Sequence, residues 1–351
     1  MHNTSGTYDF QSIEVELIIR EAFERIGISG EFVEPIKLDS AKRSINFLLL
    51  DWMSKSINLW TLKSFYMTLI EGQREYKLAT EVSDIIQANL RTSTRQLNGT
   101  ASSSEGNAAN AFDGDSSTAC TQVTPGGDIT YDYGEGVTQQ ITFFGIQSNV
   151  ETNPNLLVEI SLDNINWVTI LSILPNEHTL VVGVIEWFDI PTPYDARYFR
   201  VSSFSDEPLD IQEIYFNNNT LDFAITNVSK YEYNNYPNKY LQGRPSVYYL
   251  DRQSDPIVNI WPTASEQYNC LFISYKEMMQ DAGSYTNSLD IPSGFYPALV
   301  WGLSWHLALK YNPSLAEMLK NEYEQSFTIA TNEDTESVPI HLGIDDSSYR
   351  E

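Results

Sequence analysis

Apolar residues recur every three to four positions near both ends of this chain and every second position through its middle, and that change of period divides the sequence. The strongest helical pattern comes late. Phe295, Leu299, Leu303, Leu307 and Tyr311 share one face, with Val300, Trp301 and Trp305 widening the apolar surface, so this helix calls for neighbours on several sides. Pro297 suits its first turn, where a missing N–H costs little, and Asn312-Pro313 ends it. Ser314 and Glu317 have the spacing of a capping box for a following helix, whose stripe is Leu315, Met318, Leu319, Tyr323 and Phe327. Near the other end, Val15, Ile19, Ala22 and Ile26 predict one helix, closed by Gly27. Ala41, Ile45, Leu48 and Trp52 predict another, capped by Asp39 or Ser40. Short amphipathic helices are held by packing rather than propensity, so the helices of both ends are expected in one bundle.

From Lys63 the period shortens to two. Phe65, Met67 and Leu69 alternate with Tyr66, Thr68 and Ile70, and Glu71-Gly72-Gln73 offers a turn before Tyr76-Lys77-Leu78, which together predict a hairpin; 82–88 predicts another short strand. Between about Asn98 and Phe216 helical periodicity disappears. Apolar runs at 129–132, 141–147, 156–162, 167–171, 181–188 and 198–203 alternate with turn residues, as in a β-sandwich. Strands of the earlier kind resume at 223–228, 247–250, 257–261 and 270–275. The expected class is α+β: a bundle of N- and C-terminal helices with a small antiparallel β region, plus an inserted all-β sandwich. Residues 1–97 and 217–330 form the discontinuous host domain, 98–216 the insertion, and 331–351 an acidic tail with no evident core face. Hosts tolerate insertion best at loop tips, so the remainder is expected to fold without it.

Composition adds little to this picture, and charge adds more. Of the 351 residues, 42% are hydrophobic and 13% aromatic, ample for folded cores. No run approaches the ~18 apolar residues of a membrane helix, and the N-terminus lacks the basic-then-apolar order of a signal peptide, so a soluble chain is expected. Twenty-one basic residues against forty-seven acidic give a net charge of -26, which disfavours gripping phosphates. Cys120 and Cys270 are a lone distant pair, poor evidence for a disulfide. No Gly-x-Ser-x-Gly elbow, phosphate loop, dinucleotide fingerprint or His/Cys metal spacing occurs, and among so many carboxylates no pair stands out as an acid/base couple. Enzyme activity is not expected. His306, inside the apolar helix, reads as a hydrogen-bonded core residue. Asp113-Gly114-Asp115 by itself reads as a turn. Tyr231, Tyr233, Tyr236, Tyr248 and Tyr249 are aromatics of the kind interfaces enrich, and equally of the kind strand surfaces carry. Arg244, in a turn with Gly243 and Pro245, can pair across a subunit boundary or within the chain.

Two ordered sets of motifs carry resemblances. The first comprises Leu48-Leu49-Leu50-Asp51-Trp52 with Ile57-Asn58-Leu59-Trp60, then Tyr76-Lys77-Leu78, Asp84-Ile85-Ile86 and Val228-Ser229-Lys230-Tyr231-Glu232-Tyr233. It continues through Gly243-Arg244-Pro245-Ser246-Val247-Tyr248 and Pro256-Ile257-Val258-Asn259-Ile260-Trp261-Pro262 to Ile291-Pro292 and the long helix. These outer segments resemble the head-to-tail adaptor, or connector, proteins of short-tailed bacteriophages. That resemblance implies helices from both ends packed with a small β region, roughly a dozen copies ringing the portal vertex, and a C-terminal tail reaching the portal. The chain departs from the family's pattern between roughly Leu97 and Ile211.

The second set is Ala111-Phe112-Asp113-Gly114-Asp115-Ser116-Ser117-Thr118, Ile129-Thr130-Tyr131-Asp132-Tyr133-Gly134, Val158-Glu159-Ile160-Ser161-Leu162-Asp163 with Trp167, Ala196-Arg197-Tyr198-Phe199-Arg200-Val201 and Ile211-Gln212-Glu213-Ile214. It resembles a discoidin-type, galactose-binding-like jelly roll. The implication is a structural calcium ion (Ca2+) near the first motif, with Asp113, Asp115, Thr118 and Glu213 as the positions to test. Cys120 stands where that family commonly has a tryptophan. The two resemblances together imply a structural virion protein, assembled in the host cytoplasm. As a ring it connects the portal to the next tail component (nozzle or tail hub), lets double-stranded DNA pass without specific binding, and has no membrane partner. The alternative is a carbohydrate-binding tail protein in which the sandwich recognises host glycans. Its candidate platform residues are Trp167, Trp187, Tyr194 and Phe204, of which the two tryptophans read as core. A glycoside hydrolase requires paired carboxylates in a groove that the sequence does not mark.

Overall fold

The computed structural model of the protein describes residues 13–334 apart from 31–32, 56–58, 176, 205–206 and 266–269. Residues 335–351 of the expected tail, and Ile57-Asn58 of the outer motifs, lie outside the described residues. Among the described residues there are five α-helices: α1 (Val15–Arg25), α2 (Pro35–Lys55), α3 (Lys230–Asn235), α4 (Tyr296–Tyr311) and α5 (Ala316–Glu333). The chain forms two compact units. One is Met1–Lys63, Ala79–Asp84 and Tyr275–Glu351; the other is Ser64–Leu78 and Ile85–Ser274.

The first unit holds α1, α2, α4 and α5, and one apolar cluster takes in residues from all four. Its members include Ile19, Phe23, Leu48, Trp52, Leu299, Leu303, Leu307 and Tyr323. Gly302 is where α4 needs no side chain: a Cβ there would stand 2.7 Å from Leu48 Cδ2 and 3.0 Å from the Tyr323 ring. Three helix details differ from the sequence reading. Helix α2 starts at Pro35, a residue preorganised for a first helical position, so Asp39 and Ser40 lie inside it and cap nothing. The capping box at Ser314 does not form, because a 3-10 turn, Pro313–Leu315, leads into α5 and Ser314 Oγ donates to Asn312 Oδ1 at 2.7 Å. Ala316, Leu319, Tyr323 and Ala330 set the buried phase of α5. Met318, about 100° around the helix from Leu319, is 52% exposed.

The second unit carries the strands, and its organising element is the 18-residue strand Asp210–Asn227. The first half of that strand pairs antiparallel with Phe143–Ser148 and with Cys120–Thr121. Its second half pairs antiparallel with Val82–Arg95 and, at its end, parallel with Val247–Asp251. The register breaks between Asn218 and Leu221, where Asn219 has a φ of 51°. Such a bulge bends the strand, so that its two halves can pair with two different antiparallel partners. The sandwich closes with a five-stranded sheet in the order Val168–Ile173, Leu156–Ser161, Tyr198–Ser203, Asp128–Asp132, Thr100–Ser103. Phe144, Ile146, Val158, Phe199, Val201, Ile214 and Phe216 fill the space between the layers. Most strands lie close to where alternation placed them, but the one expected at 181–188 begins only at Ile185. Gly183, at φ 77°, turns the chain there.

Two larger differences concern partners. Leu62–Thr68 and Glu75–Lys77 do not form a hairpin; they stand at opposite ends of the path of the ten-stranded sheet, beside Cys270–Glu277 and Ile257–Trp261 respectively. Alternation says which face a strand buries but not whom it pairs with. The boundary expected between 216 and 217 falls inside Asp210–Asn227, and residues on both sides of it belong to one unit. Phe143 and Trp187 of the insertion stack with ring centroids 4.7 Å apart, and share a buried cluster with Tyr215 and Cys270, packed against Tyr66. Excising 98–216 therefore cuts the central strand and strips one wall of that cluster, so the remainder loses support it was expected not to need. Gly145 makes the stack possible, since a Cβ there would meet the Trp187 ring at 2.5 Å. Gly145→Ala is expected to cost about 1–3 kcal/mol by overpacking, read from the denaturant midpoint. An unchanged midpoint would show that Trp187 is free to leave its place.

Candidate functional site

The loop Ala111–Thr118 is folded by its own polar side chains. Asp113 Oδ1 accepts from the Asp115 N–H at 2.9 Å, Asp115 Oδ1 accepts from the Ser117 N–H at 2.9 Å, and Gly114 between the aspartates has a φ of 79°. Thr118 Oγ1 lies 2.8 Å from Asp113 Oδ2 and 3.0 Å from the Asp115 carbonyl oxygen. Glu213 comes to this loop from the strand Asp210–Asn227 and is 1% exposed. Burial pushes its carboxyl up, Arg95 pulls it back, and neighbouring Asp113 adds to the rise. Oε1 of Glu213 has no hydrogen-bond donor among the described residues. Asp113, Thr118 and Glu213 are thus brought together with main-chain oxygens nearby. Asp115 is engaged at both ends, its carboxylate accepting from the Ser117 N–H and its carbonyl from the Thr118 N–H. Two carboxylates, one of them with an orphaned buried oxygen, and a hydroxyl are oxygen donors of the kind calcium takes. No group of three or more His, Cys, Asp or Glu suited to a metal occurs among the described residues, so main-chain oxygens would have to complete the shell.

One neighbour of Glu213 was not singled out from sequence. Arg95, on Val82–Arg95, places Nη2 2.5 Å from Glu213 Oε2, 2.5 Å from the Ile214 carbonyl oxygen and 3.2 Å from that of Ala111. Its guanidinium lies 4.2 Å over the Tyr215 ring. A signal existed. Between Arg95 and Arg197 the chain has no lysine or arginine, and residues 98–216 hold two arginines against seventeen carboxylates. The cations bounding so acidic a stretch are under strong pressure to pair. Both interior arginines do: Arg197 forks onto Asp132 at 2.7 and 2.8 Å, and Arg200 bonds Glu159 at 2.8 Å while covering the Trp167 ring at 4.0 Å.

The tyrosines expected at an interface separate. Tyr248 is 2% exposed and Tyr233 is buried as well, so neither offers a surface on this chain; the phase of Val247–Asp251 turns Tyr248 inward. Tyr231 is 76% exposed. Tyr236 is half-buried and stacks on Trp261 at 4.1 Å, and half-buried Tyr249 stacks on Tyr233 at 5.9 Å. Arg244 is exposed, with its guanidinium 3.5 Å over Phe223. A capping box does occur here, on α3: Ser229 accepts from the Glu232 N–H, and Glu232 accepts from the Ser229 N–H.

Of the candidate glycan residues, Trp187 is buried and Trp167 half-buried under Arg200, leaving Tyr194 and Phe204 exposed. These two flank opposite ends of Tyr198–Ser203 in the sequence. His306 is partly buried; burial lowers its pKa and a hydrogen bond involving the Ser44 main chain opposes this. Cys120 and Cys270 are free and buried. No helix among the described residues is long and apolar enough to cross a membrane.

Fold and site define an α+β protein with one helical unit and one β unit, the latter built around a single long strand. The model of the SU10 adaptor protein family matches residues 167–343, half of the chain, and the chain belongs to that phage adaptor family. Membership makes it a virion component. Among solved structures, the chain is similar to CBM62 from Clostridium thermocellum Xyl5A, at 21% identity over 37% of this chain and 99% of that one, with a TM-score of 0.32. It is also similar to CpGH89CBM32-5 from Clostridium perfringens in complex with GalNAc-β-1,3-galactose, at 15% identity over 35% and 98%, with a TM-score of 0.30. A third is chitosan-binding module 1 of a chitosanase/glucanase from Paenibacillus sp. IK-5, at 20% identity over 35% and 96%, with a TM-score of 0.29. No curated protein matches the chain.

Proposed function

We propose that the protein is a head-to-tail adaptor without catalytic activity, assembled in the host cytoplasm as a ring of about a dozen copies between the portal and the next tail component. The observation that carries this reading is the adaptor-family match, which runs through α4 and α5. In this reading the helices of the two chain ends form the ring-building bundle, the tail from 331 onward reaches the portal, and exposed Tyr231 and Arg244 face a neighbouring copy. The ring extends the DNA channel and closes the vertex after packaging. The sandwich lies at the periphery, and a calcium ion held by Asp113, Thr118 and Glu213 stiffens its loop. Electron microscopy of the protein mixed with the portal from the same source tests the assignment: ring density seated on the portal is expected, and two species that stay separate would end it.

An adaptor lining a channel has to let DNA slide. A net charge of -26 repels phosphate over a range of about 8 Å at physiological salt. The purified protein is expected to leave duplex DNA unshifted in a gel even at low salt. A tight complex that dissolves on adding salt would contradict the non-adhesive channel while leaving the portal test untouched.

A further inference from the structure

Glu213 and Arg95 form the most deeply buried ion pair of the β unit among the described residues, with side chains 1% and 7% exposed. The arginine does more than neutralise one acid. A single nitrogen, Nη2, meets a carboxylate oxygen and the main-chain carbonyls of Ala111 and Ile214. Three oxygens converging on one positive centre is the arrangement a hard cation makes, here built from a guanidinium. Ala111 opens the Ala111–Thr118 loop, so the same contact fixes where that loop leaves the sheet. Asp113, itself exposed, adds a second carboxylate beside buried Glu213, and a buried carboxylate with a like charge beside it and no cation would disfavour the folded loop. Arg95 is supplied by a strand outside the 98–216 segment, which has no other lysine or arginine before Arg197.

We infer that Arg95 is a built-in cation for this loop: it holds Glu213 and the Ala111 main chain in place, so the folded loop depends only weakly on a divalent ion. The second half of this statement rests on the calcium reading above; the first does not. Calcium, where it binds, uses the other face of Glu213, through Oε1.

Thermal melting of the full chain, with calcium chloride or with chelator, tests both halves. The unsubstituted protein is expected to shift by less than about 2 °C between the two conditions. Arg95→Met is expected to melt roughly 5–10 °C lower in chelator and to regain at least half of that in millimolar calcium, because the ion then supplies the missing charge. Arg95→Lys, which keeps the charge but not the planar guanidinium over Tyr215, is expected to fall between them and serves if Arg95→Met does not fold. A cycle with Glu213→Gln supplies a readout free of calcium: in chelator, the double variant is expected to be no worse than the poorer single variant. Additive losses in that cycle would overturn the pairing role. A calcium shift in the unsubstituted protein as large as in Arg95→Met would overturn the built-in cation while upholding calcium. Coupling in the cycle with no calcium response in any variant would uphold Arg95 and remove the calcium reading.

Discussion

Trp52→Ala is expected to lower the stability of the helical unit by about 4 kcal/mol, the largest effect of any single substitution considered. Trp52 is fully buried on α2. Its ring sits 5.6 Å from Phe295 and 5.4 Å from Phe327, and its indole N–H donates to the Tyr323 hydroxyl at 2.9 Å. Three side chains from two segments therefore converge on Trp52, and truncation leaves a cavity that neither segment can fill alone. The Tyr323 hydroxyl keeps Lys55 as a neighbour, so the cavity rather than the lost hydrogen bond sets the size of the effect. Trp52→Phe, which keeps most of the volume, is expected to lose only about 1–2 kcal/mol. Chemical denaturation followed by helix signal distinguishes the two. A loss under about 1 kcal/mol for the alanine variant would mean that the four helices do not share the cluster described here.

Arg91→Met is expected to cost the β unit about 2–3 kcal/mol, below the usual range for a broken buried pair, because both partners can rehydrate. Arg91 forks onto Asp222 at 2.7 and 2.6 Å and reaches Asp189 at 2.5 Å and the Tyr66 hydroxyl at 2.7 Å. The Tyr66 hydroxyl in turn donates to Asp189. The aromatic rings of Tyr66, Phe143 and Phe272 lie 5.0 to 5.6 Å from the guanidinium. Asp189 belongs to the insertion, whereas Arg91, Asp222 and Tyr66 do not, so this charge stitches the sandwich to the strands that host it. The Asp222 and Asp189 side chains are 38% and 55% exposed. Arg91→Lys keeps the charge but cannot fork and is expected to recover about half of the loss. Equal losses for Lys and Met would show that geometry, not charge, is what matters at this position.

Much of this protein can be read locally. The stripe of α4 was legible from Leu299, Leu303 and Leu307, and all three are buried. The phase of Tyr198–Ser203 was legible from its alternation, with Phe199 and Val201 facing the core. The site was legible only in part. Asp113 and Thr118 lie five residues apart and were found as a motif, and Glu213 followed from a resemblance to a family. Arg95, which touches Glu213, belongs to no motif and was passed over. Among the tyrosines, composition could not separate Tyr231 from Tyr248, because a side chain's burial depends on what packs above it.

Sequence alone determined most of the helical and extended segments, though not α3, the apolar face of most of them, and that the middle is starved of cations. These properties arise from contacts over a few residues and from simple charge, so they survive in any fold the chain adopts. Tertiary structure decided the partners: that Leu62–Thr68 and Glu75–Lys77 stand apart, that Asp210–Asn227 serves two layers, and that Arg91 and Arg95 bind insertion carboxylates. Pairing is chosen by loop closure and shared burial between residues far apart in sequence, 118 positions for Arg95 and Glu213 and 271 for Trp52 and Tyr323, and no periodicity records such a choice.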